Sequence, residues 1–97
     1  MPSAYVIANV EVTNPEQYEE YKKLSTIAMK AHGAEVCIRG GKVEPLEGDW
    51  NPSRFVMLKF PSLEQAKAFY GSVEYQAAKQ AREGAALMRM IVVEGAG

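Results

Sequence analysis

Apolar and polar residues alternate at the start of the chain in the pattern of a β-strand with one buried face. The alternation covers residues 5–12. Its fully apolar face consists of Val6, Ala8, Val10 and Val12. The opposite face is mixed, because it carries both apolar and polar side chains. We therefore predict a first strand that is covered on one face and presents a second, partly apolar face.

The next segment changes to the spacing of an amphipathic helix. Asn14 is placed to cap this helix and Pro15 suits its first turn, while Gln17 is placed to complete a capping box. Apolar or small residues then recur at helical spacing at Tyr18, Tyr21, Leu24, Ala28 and Ala31. Gly33 suits the end of the helix. The pattern predicts a helix from Pro15 to about His32.

Two further strands are predicted in the middle of the chain. The second strand covers residues 34–38 and resumes over residues 42–46 after Gly40-Gly41. Paired glycines inside a strand usually mark a bulge or a bend. Residues 47–52 are rich in turn formers, so they predict the turn of a wide hairpin. The third strand, residues 54–60, is the most apolar of the set.

A second helical region and a last strand follow. Ser62 and Gln65 have the spacing of another capping box, and Gly71 interrupts the helix that they begin. A further helical segment is predicted over residues 73–83 and the fourth strand over residues 87–93.

The order of these elements is β-α-β-β-α-β, which is the ferredoxin-like arrangement of the α+β class. Its helical regions cover one face of a four-stranded antiparallel sheet. The other face carries Ile7 and alternate residues of the last two strands, more apolar surface than a monomer usually exposes. We expect a homodimer that buries this face, because two-fold pairing needs only one self-complementary surface. Its main contributors are expected to be Met57, Leu58, Met90, Ile91 and Trp50.

Length and charge limit the class of protein. With 97 residues the chain is predicted to form a single domain, residues 1–97. Eleven Lys and Arg against twelve Asp and Glu give a net charge of -1, so no basic excess favours nucleic acid or an anionic membrane as a partner. The chain shows no signal-peptide pattern and no apolar run near the ~20 residues of a membrane span. We expect a cytoplasmic protein.

The single cysteine and single histidine argue against metal and thiol chemistry. Cys37 stands between Val36 and Ile38, which predicts a buried core thiol and not a nucleophile. One cysteine allows no internal disulfide, and one His with one Cys cannot form a usual zinc site. The chain also lacks a phosphate-binding loop and a nucleophile elbow. We predict no metal and no cofactor.

Two arginines and the only tryptophan indicate a site for a small organic molecule. Arg39 stands beside the paired glycines, and Arg54 begins the third strand. Guanidinium groups offer forked donors for a carboxylate, and an indole offers a flat apolar wall. A ligand of this site is expected to be a small organic acid or a planar phenol. The predicted ligand-binding residues are Arg39, Gly40, Gly41, Trp50, Arg54 and Tyr75.

Each of the two arginines also has a simpler structural explanation. Arg39 could form an ion pair with Glu35 or Glu47 at the rim of the sheet. Arg54 could pair with Glu44 across the hairpin. The sequence leaves ligand binding and ion pairing about equally favoured for both side chains.

The remaining candidates have structural alternatives as well. Trp50 could fasten its loop to a sheet, and Tyr75 could be a core residue whose hydroxyl lies at the edge of a pocket. His32 could cap the first helix, where its positive charge would complement the helix terminus. As the only histidine it is also the candidate catalytic base, since its ordinary pKa lies near neutrality.

Several short segments match one known family when they are taken together. They are Tyr5-Val6-Ile7-Ala8, Asn14-Pro15, Arg39-Gly40-Gly41, Glu47-Gly48-Asp49-Trp50, Phe60-Pro61-Ser62 and Ser72-Val73-Glu74-Tyr75-Gln76. On these segments, which extend over nearly the whole chain, the protein resembles the domain of unknown function 1330 family of the dimeric α+β barrel superfamily. The resemblance implies that two four-stranded sheets close into a barrel across a dimer, with the helices outside. It also implies a pocket between the sheet and the helices.

The resemblance leaves two classes of function open, because that superfamily includes cofactor-free monooxygenases, muconolactone-type isomerases and ligand-binding modules. One hypothesis is a cofactor-free enzyme that acts on a small anionic or phenolic compound. His32 or a tyrosine would transfer protons in this enzyme, and Arg39 or Arg54 would hold an anionic intermediate. The alternative is a non-catalytic homodimer that binds or senses a metabolite through the same arginines.

Overall fold

The chain folds into a four-stranded sheet with its helices on one face, in a computed structural model that describes residues 2–96. The elements are β1 (Ala4–Val12), α1 (Pro15–Ala31), β2 (Glu35–Arg39), β3 (Arg54–Phe60), α2 (Leu63–Gly71), α3 (Val73–Ala81) and β4 (Ala86–Glu94). The predicted ferredoxin-like arrangement of the α+β class is confirmed, with α2 and α3 as its second helical region. Met1 and Gly97, the terminal positions of the predicted domain, lie outside the described residues.

The strands are antiparallel to their neighbours and lie in the order β2-β3-β1-β4. Val6 of β1 is opposite Leu58 of β3 on one side and Val92 of β4 on the other, so these side chains share a face. The alternation predicted for β1 is confirmed, because its even-numbered residues from Ala4 to Val10 are buried beneath the helices.

Local chemistry fixes the ends of α1. The side chain of Asn14 accepts a hydrogen bond from the backbone N–H of Gln17, and Gly33 ends the helix in the left-handed region with φ 68°. The capping box, however, is not completed. The amide of Gln17 instead donates to the carbonyls of Ala81 and Glu83 and so connects the start of α1 to the end of α3. No helix within residues 2–96 combines the length and apolar character needed to cross a membrane.

Aromatic side chains form the centre of the core. The ring of Phe69 in α2 lies 5.0 Å from that of Phe60 in β3 and 4.9 Å from that of Tyr75 in α3, measured between centroids. All three side chains are almost fully buried. This cluster connects the sheet to both short helices.

The connection between β2 and β3 differs from the sequence prediction. Residues 42–46 form no strand, because they extend past the start of β3 at Arg54 and have no neighbour with which to pair. The bulge predicted at Gly40-Gly41 lies instead between Val36 and Ile38, where the register of β2 against β3 shifts. Residues 40–53 are therefore a long loop.

Two predictions about exposure were wrong. Leu58 is buried under the helices, and Met90 shares that face of the sheet because it is opposite Ala8. Met57 and Ile91 lie on the open face, since neighbouring residues of a strand point to opposite sides. Cys37, predicted to be buried, is exposed because it lies in β2, an edge strand in which every residue is exposed.

Candidate functional site

A small cavity lies between the sheet and the helices. Its volume is about 30 Å³, enough for about one water molecule. Apolar side chains of β1, β3 and β4 form its floor. The residues that bring polar groups to its wall are Tyr18, Tyr21, Lys22, Ser25, Arg39, Arg54 and Tyr75.

Arg39 reaches the cavity from the end of β2. Its position opposite Val56 directs the side chain to the helix-covered face of the sheet. There its guanidinium Nη2 donates to the hydroxyl of Thr26 at 2.9 Å and approaches the carbonyl of Lys22 at 3.5 Å. The alternative prediction of an ion pair with Glu35 or Glu47 was wrong, because α1 supplies neutral acceptors instead.

Arg54 reaches the same cavity from the first position of β3. Its guanidinium carbon lies 5.9 Å from the centre of the Tyr18 ring, a cation–π distance. Its Nε atom is buried and has no hydrogen-bond partner within residues 2–96. The alternative pairing with Glu44 was also wrong, since that carboxylate is 3.9 Å from Lys42 instead. In the part of the chain that the structure describes, neither Arg39 nor Arg54 forms an ion pair.

The mouth of the cavity is cationic. A surface depression beside it is lined by Glu19, Lys22, Lys23, Thr26, Arg39 and Arg54. Lys22 and the two arginines line both the depression and the cavity. Glu19 pairs with Lys22 at 2.8 Å, and this hydrogen bond lowers the pKa of the Glu19 carboxyl. One carboxylate therefore faces four cationic side chains.

Two tyrosines carry the buried polar groups of the cavity. The hydroxyls of Tyr21 and Tyr75 form a 2.8 Å hydrogen bond, in which one donates and the other retains its proton. Within residues 2–96 this is the only hydrogen bond that either hydroxyl makes. Burial raises the pKa of Tyr21 far above its ordinary value, and the neighbouring Tyr75 adds to the shift. Tyr21 therefore stays neutral at physiological pH and can donate a hydrogen bond.

Tyr18 lies next to both Tyr21 and Arg54. Its ring is 5.1 Å from that of Tyr21. Burial raises the pKa of the Tyr18 hydroxyl, and the positive charge of Arg54 opposes part of this effect.

Gly40 has a role that no other residue can take without strain. Its φ of +74° is in the left-handed region, and its N–H bonds to the carbonyl of Phe55. A Cβ atom at this position would lie 2.5 Å from Nη1 of Arg54 and 3.0 Å from its guanidinium carbon. The missing side chain is what leaves room for the guanidinium.

We expect Gly40→Ala to destabilise the protein by about 1–2 kcal/mol, because alanine is strained at positive φ and its Cβ displaces Arg54. Gly41→Ala is the matched control. Gly41 has no positive φ, and its Cβ would meet no atom within 4 Å. Urea unfolding of both variants measures the difference. Equal unfolding free energies would show that the close approach to Arg54 has no structural role.

Trp50 and Gly41 lie outside the cavity. They line a shallow groove under the loop of residues 40–53, together with Ile38 and Phe55. The indole is 65% exposed, and its ring is 6.2 Å from that of Phe55 on the open face of the sheet. The structure thus brings Arg39, Arg54 and Tyr75 together at the cavity, whereas Trp50 shares the loop groove with Arg39 and is apart from Arg54 and Tyr75.

His32 does not line the cavity either. It caps the C-terminal end of α1, and its Nε2 is 3.0 Å from a carboxylate oxygen of Glu74 at the start of α3. This hydrogen bond lowers the pKa of the Glu74 carboxyl. The arrangement joins two helices at the surface and does not direct the imidazole towards Arg39 or Arg54.

Four polar residues of the site were not predicted from the sequence as part of it: Tyr18, Tyr21, Lys22 and Ser25. The signal was their spacing, since positions three and four apart share one side of a helix. Two tyrosines on an apolar stripe also bring hydroxyls that need a partner once they are buried.

Comparison with known proteins agrees with this fold. The family described as "Domain of unknown function (DUF1330)" matches residues 3–96. No curated protein matches the chain. A solved protein of unknown function from Rhodopseudomonas palustris is 18% identical, with a TM-score of 0.77 over 99% of this chain and 84% of that one.

Two other solved structures have names that refer to an activity. A conserved protein from Bacteroides thetaiotaomicron, named a "possible oxidoreductase", is 13% identical with a TM-score of 0.65 over 96% of this chain and 97% of that one. A "putative antibiotic biosynthesis monooxygenase" from Nitrosomonas europaea is 13% identical with a TM-score of 0.57 over 99% and 93%. At these identities the likeness shows the fold alone.

Proposed function

The chain belongs to the domain of unknown function 1330 family, and we propose that it binds a small organic anion in the cavity between its sheet and its helices. One observation carries the proposal. Lys22, Arg39 and Arg54 line both the cavity and its mouth, and neither arginine has a carboxylate partner within residues 2–96. An anionic ligand would supply the missing counter-charge, and guanidinium forks suit a carboxylate.

The floor of the cavity defines the rest of the ligand. It is apolar, so it suits a compact hydrocarbon body, and the hydroxyl pair of Tyr21 and Tyr75 offers one donor to an oxygen on that body. A volume of about 30 Å³ is too small for such a ligand. Binding therefore requires side chains to move, and the flexible candidates are Lys22 at the mouth and Met29 on the wall.

The tyrosine pair favours a second candidate function, a cofactor-free enzyme of the monooxygenase or isomerase type. A neutral hydroxyl that is free to donate can stabilise negative charge as it develops on a phenolic or enolic oxygen. Proteins of similar fold named a "possible oxidoreductase" and a monooxygenase support this candidate by analogy. Against it, His32 is remote from the cavity.

The proposal includes a homodimer built on the open face of the sheet. Leu87, Ile91 and Val93 of β4 and Ile38 of β2 are apolar and substantially exposed on this face. A monomer rarely leaves such a patch in water, and a second copy presents the same patch. The proposed location is the cytoplasm, whose reducing conditions suit the exposed free thiol of Cys37.

The binding proposal is tested by calorimetric titration with benzoate and with its neutral counterpart benzyl alcohol. We expect benzoate to bind more tightly than the alcohol, and Arg54→Met to weaken benzoate binding at least about tenfold. Arg89→Met is the matched control, since Arg89 lies on the opposite face of the sheet. Equal affinity of the Arg54 variant and the native protein would contradict the proposal.

Ligands that bind are then assayed for turnover in air-saturated buffer, with the products followed by NMR. If Tyr21→Phe retains binding but its turnover falls at least about 100-fold, the protein is an enzyme that uses this hydroxyl. Binding without turnover would establish the non-catalytic binder.

A further inference from the structure

A second concavity lies behind the cavity, between the two short helices and β4. It is an open groove of about 610 Å³. Ala66 and Tyr70 of α2 line one side, and Ile91 and Val92 of the edge strand β4 line the other. The groove is thus far larger than the cavity and has an apolar surface on both sides.

Three cationic side chains surround this groove: Lys67, Lys79 and Arg82. None of the described residues that line it is acidic, and none of the three cations forms an ion pair within residues 2–96. The ammonium of Lys79 lies 5.3 Å from the centre of the Tyr70 ring. The Nε atom of Arg82 is buried and has no hydrogen-bond partner in the described part of the chain. No residue that lines the groove therefore balances its positive charge.

The groove and the cavity are separate sites that share a wall. Val6, Met88 and Met90 line both. The cations differ, however, because Lys22, Arg39 and Arg54 do not line the groove and its own three cations do not line the cavity. The two lysines therefore belong to the groove alone, whereas the guanidinium carbon of Arg82 also lies 5.6 Å from the centre of the Tyr21 ring of the cavity.

We propose that this groove is a second binding site, for an organic anion with a larger aromatic or aliphatic body than the cavity admits. The acidic group of the ligand lies between Lys67 and Lys79, where two ammonium groups meet it. Its apolar body packs against Tyr70 and Val92, whose side chains are partly exposed. Charge complementarity selects an anion over a neutral compound of the same shape.

The experiment uses naphthalene-2-sulfonate as the probe, because a sulfonate is ionised at every pH at which the protein is folded. The neutral comparison is 2-naphthalenemethanol. Methyl NMR on the intact protein locates the probe. We expect chemical-shift changes at the methyl groups of Val92, which faces the helices and lines the groove, and smaller changes at those of Val10 and Val56, which line the cavity.

Lys67→Met/Lys79→Met should weaken probe binding at least about tenfold, since methionine keeps the apolar stem and removes the charge. The matched control, Lys30→Met/Lys42→Met, removes the same charge elsewhere and should leave the affinity unchanged. Melting curves confirm that each variant is folded. Arg54→Met should also leave the affinity unchanged.

The proposal is overturned if the probe changes the chemical shifts of the methyl groups that line the cavity and not of those that line the groove. It is also overturned if the two double variants bind the probe equally, or if the alcohol binds as tightly as the sulfonate. A loss of probe binding only in Arg54→Met would remove the groove as a site and would leave anion binding in the cavity standing.

Discussion

Replacing Phe69 by alanine should lower the free energy of unfolding by about 3–5 kcal/mol and the melting temperature by about 15–25 °C. Phe69 is 1% exposed, and its ring contacts those of Phe60 and Tyr75. Truncation removes the contacts of α2 with β3 and α3 at once and leaves a void that rigid neighbours fill poorly. The loss is a large fraction of the 5–15 kcal/mol that is usual for a whole domain.

Leu46→Ala is the matched control for this truncation. Leu46 is 99% exposed in the long loop, so its removal should change stability by about 0.5 kcal/mol or less. Thermal melting and urea unfolding, both followed by circular dichroism, measure the two variants. A fall of less than about 5 °C for Phe69→Ala would mean that the core does not depend on this aromatic cluster.

Ile91→Glu should convert the proposed homodimer to a monomer and raise its dissociation constant at least about 1,000-fold. Ile91 is 60% exposed on the open face, opposite Ile7 of β1. The substitution leaves the monomer core intact. Each chain of a two-fold dimer contributes one such residue, so the interface would bury two unpaired carboxylates. Dimerisation would therefore have to overcome the desolvation cost of both.

Sedimentation velocity over a range of concentrations measures this effect. Val73→Glu is the control, because Val73 is 84% exposed at the start of α3 on the helical side. The dimer of the Val73→Glu variant should dissociate no more readily than that of the native protein. A native protein that is monomeric at micromolar concentration, or a dimeric Ile91→Glu variant, would remove both the interface and the barrel.

Much of the fold followed from interactions between residues close together in the chain. The alternation in β1 identifies its buried face because a strand has a period of two, and this holds wherever the strand lies. Asn14 and Gly33 mark the ends of α1 through hydrogen bonding and backbone freedom at single residues. Signals of this kind do not depend on tertiary packing.

Other features depend on the order and register of the strands, which no local pattern specifies. Whether Met57 or Leu58 faces the helices changes with a shift of one residue in the pairing of β3. The exposure of Cys37 follows from the position of β2 at the edge of the sheet. Residues 42–46 lack a partner only because β3 begins at Arg54.

Some residues of the candidate site could likewise be predicted from local sequence, and others depend on the tertiary structure. Arg39 and Arg54 were predicted because a guanidinium has recognisable chemistry, beside a glycine break for Arg39 and at the start of a strand for Arg54. Tyr18 and Tyr21 were not predicted, because the sheet determines which side of α1 meets the cavity. The position of His32 depends on Glu74, which is distant in sequence and close only in the fold.

The central position of β1 affects the order in which the protein can fold during synthesis. β1 leaves the ribosome before the other strands, yet its neighbours are β3 and β4, residues 54–60 and 86–94. β2 emerges sooner but cannot cover β1, since β3 lies between them. The nascent chain must therefore keep β1 unpaired until more than half of the sequence has been translated, and it gains its second ladder only with the last strand. Folding is consequently a late event that involves the whole chain, with pairings that are distant in sequence.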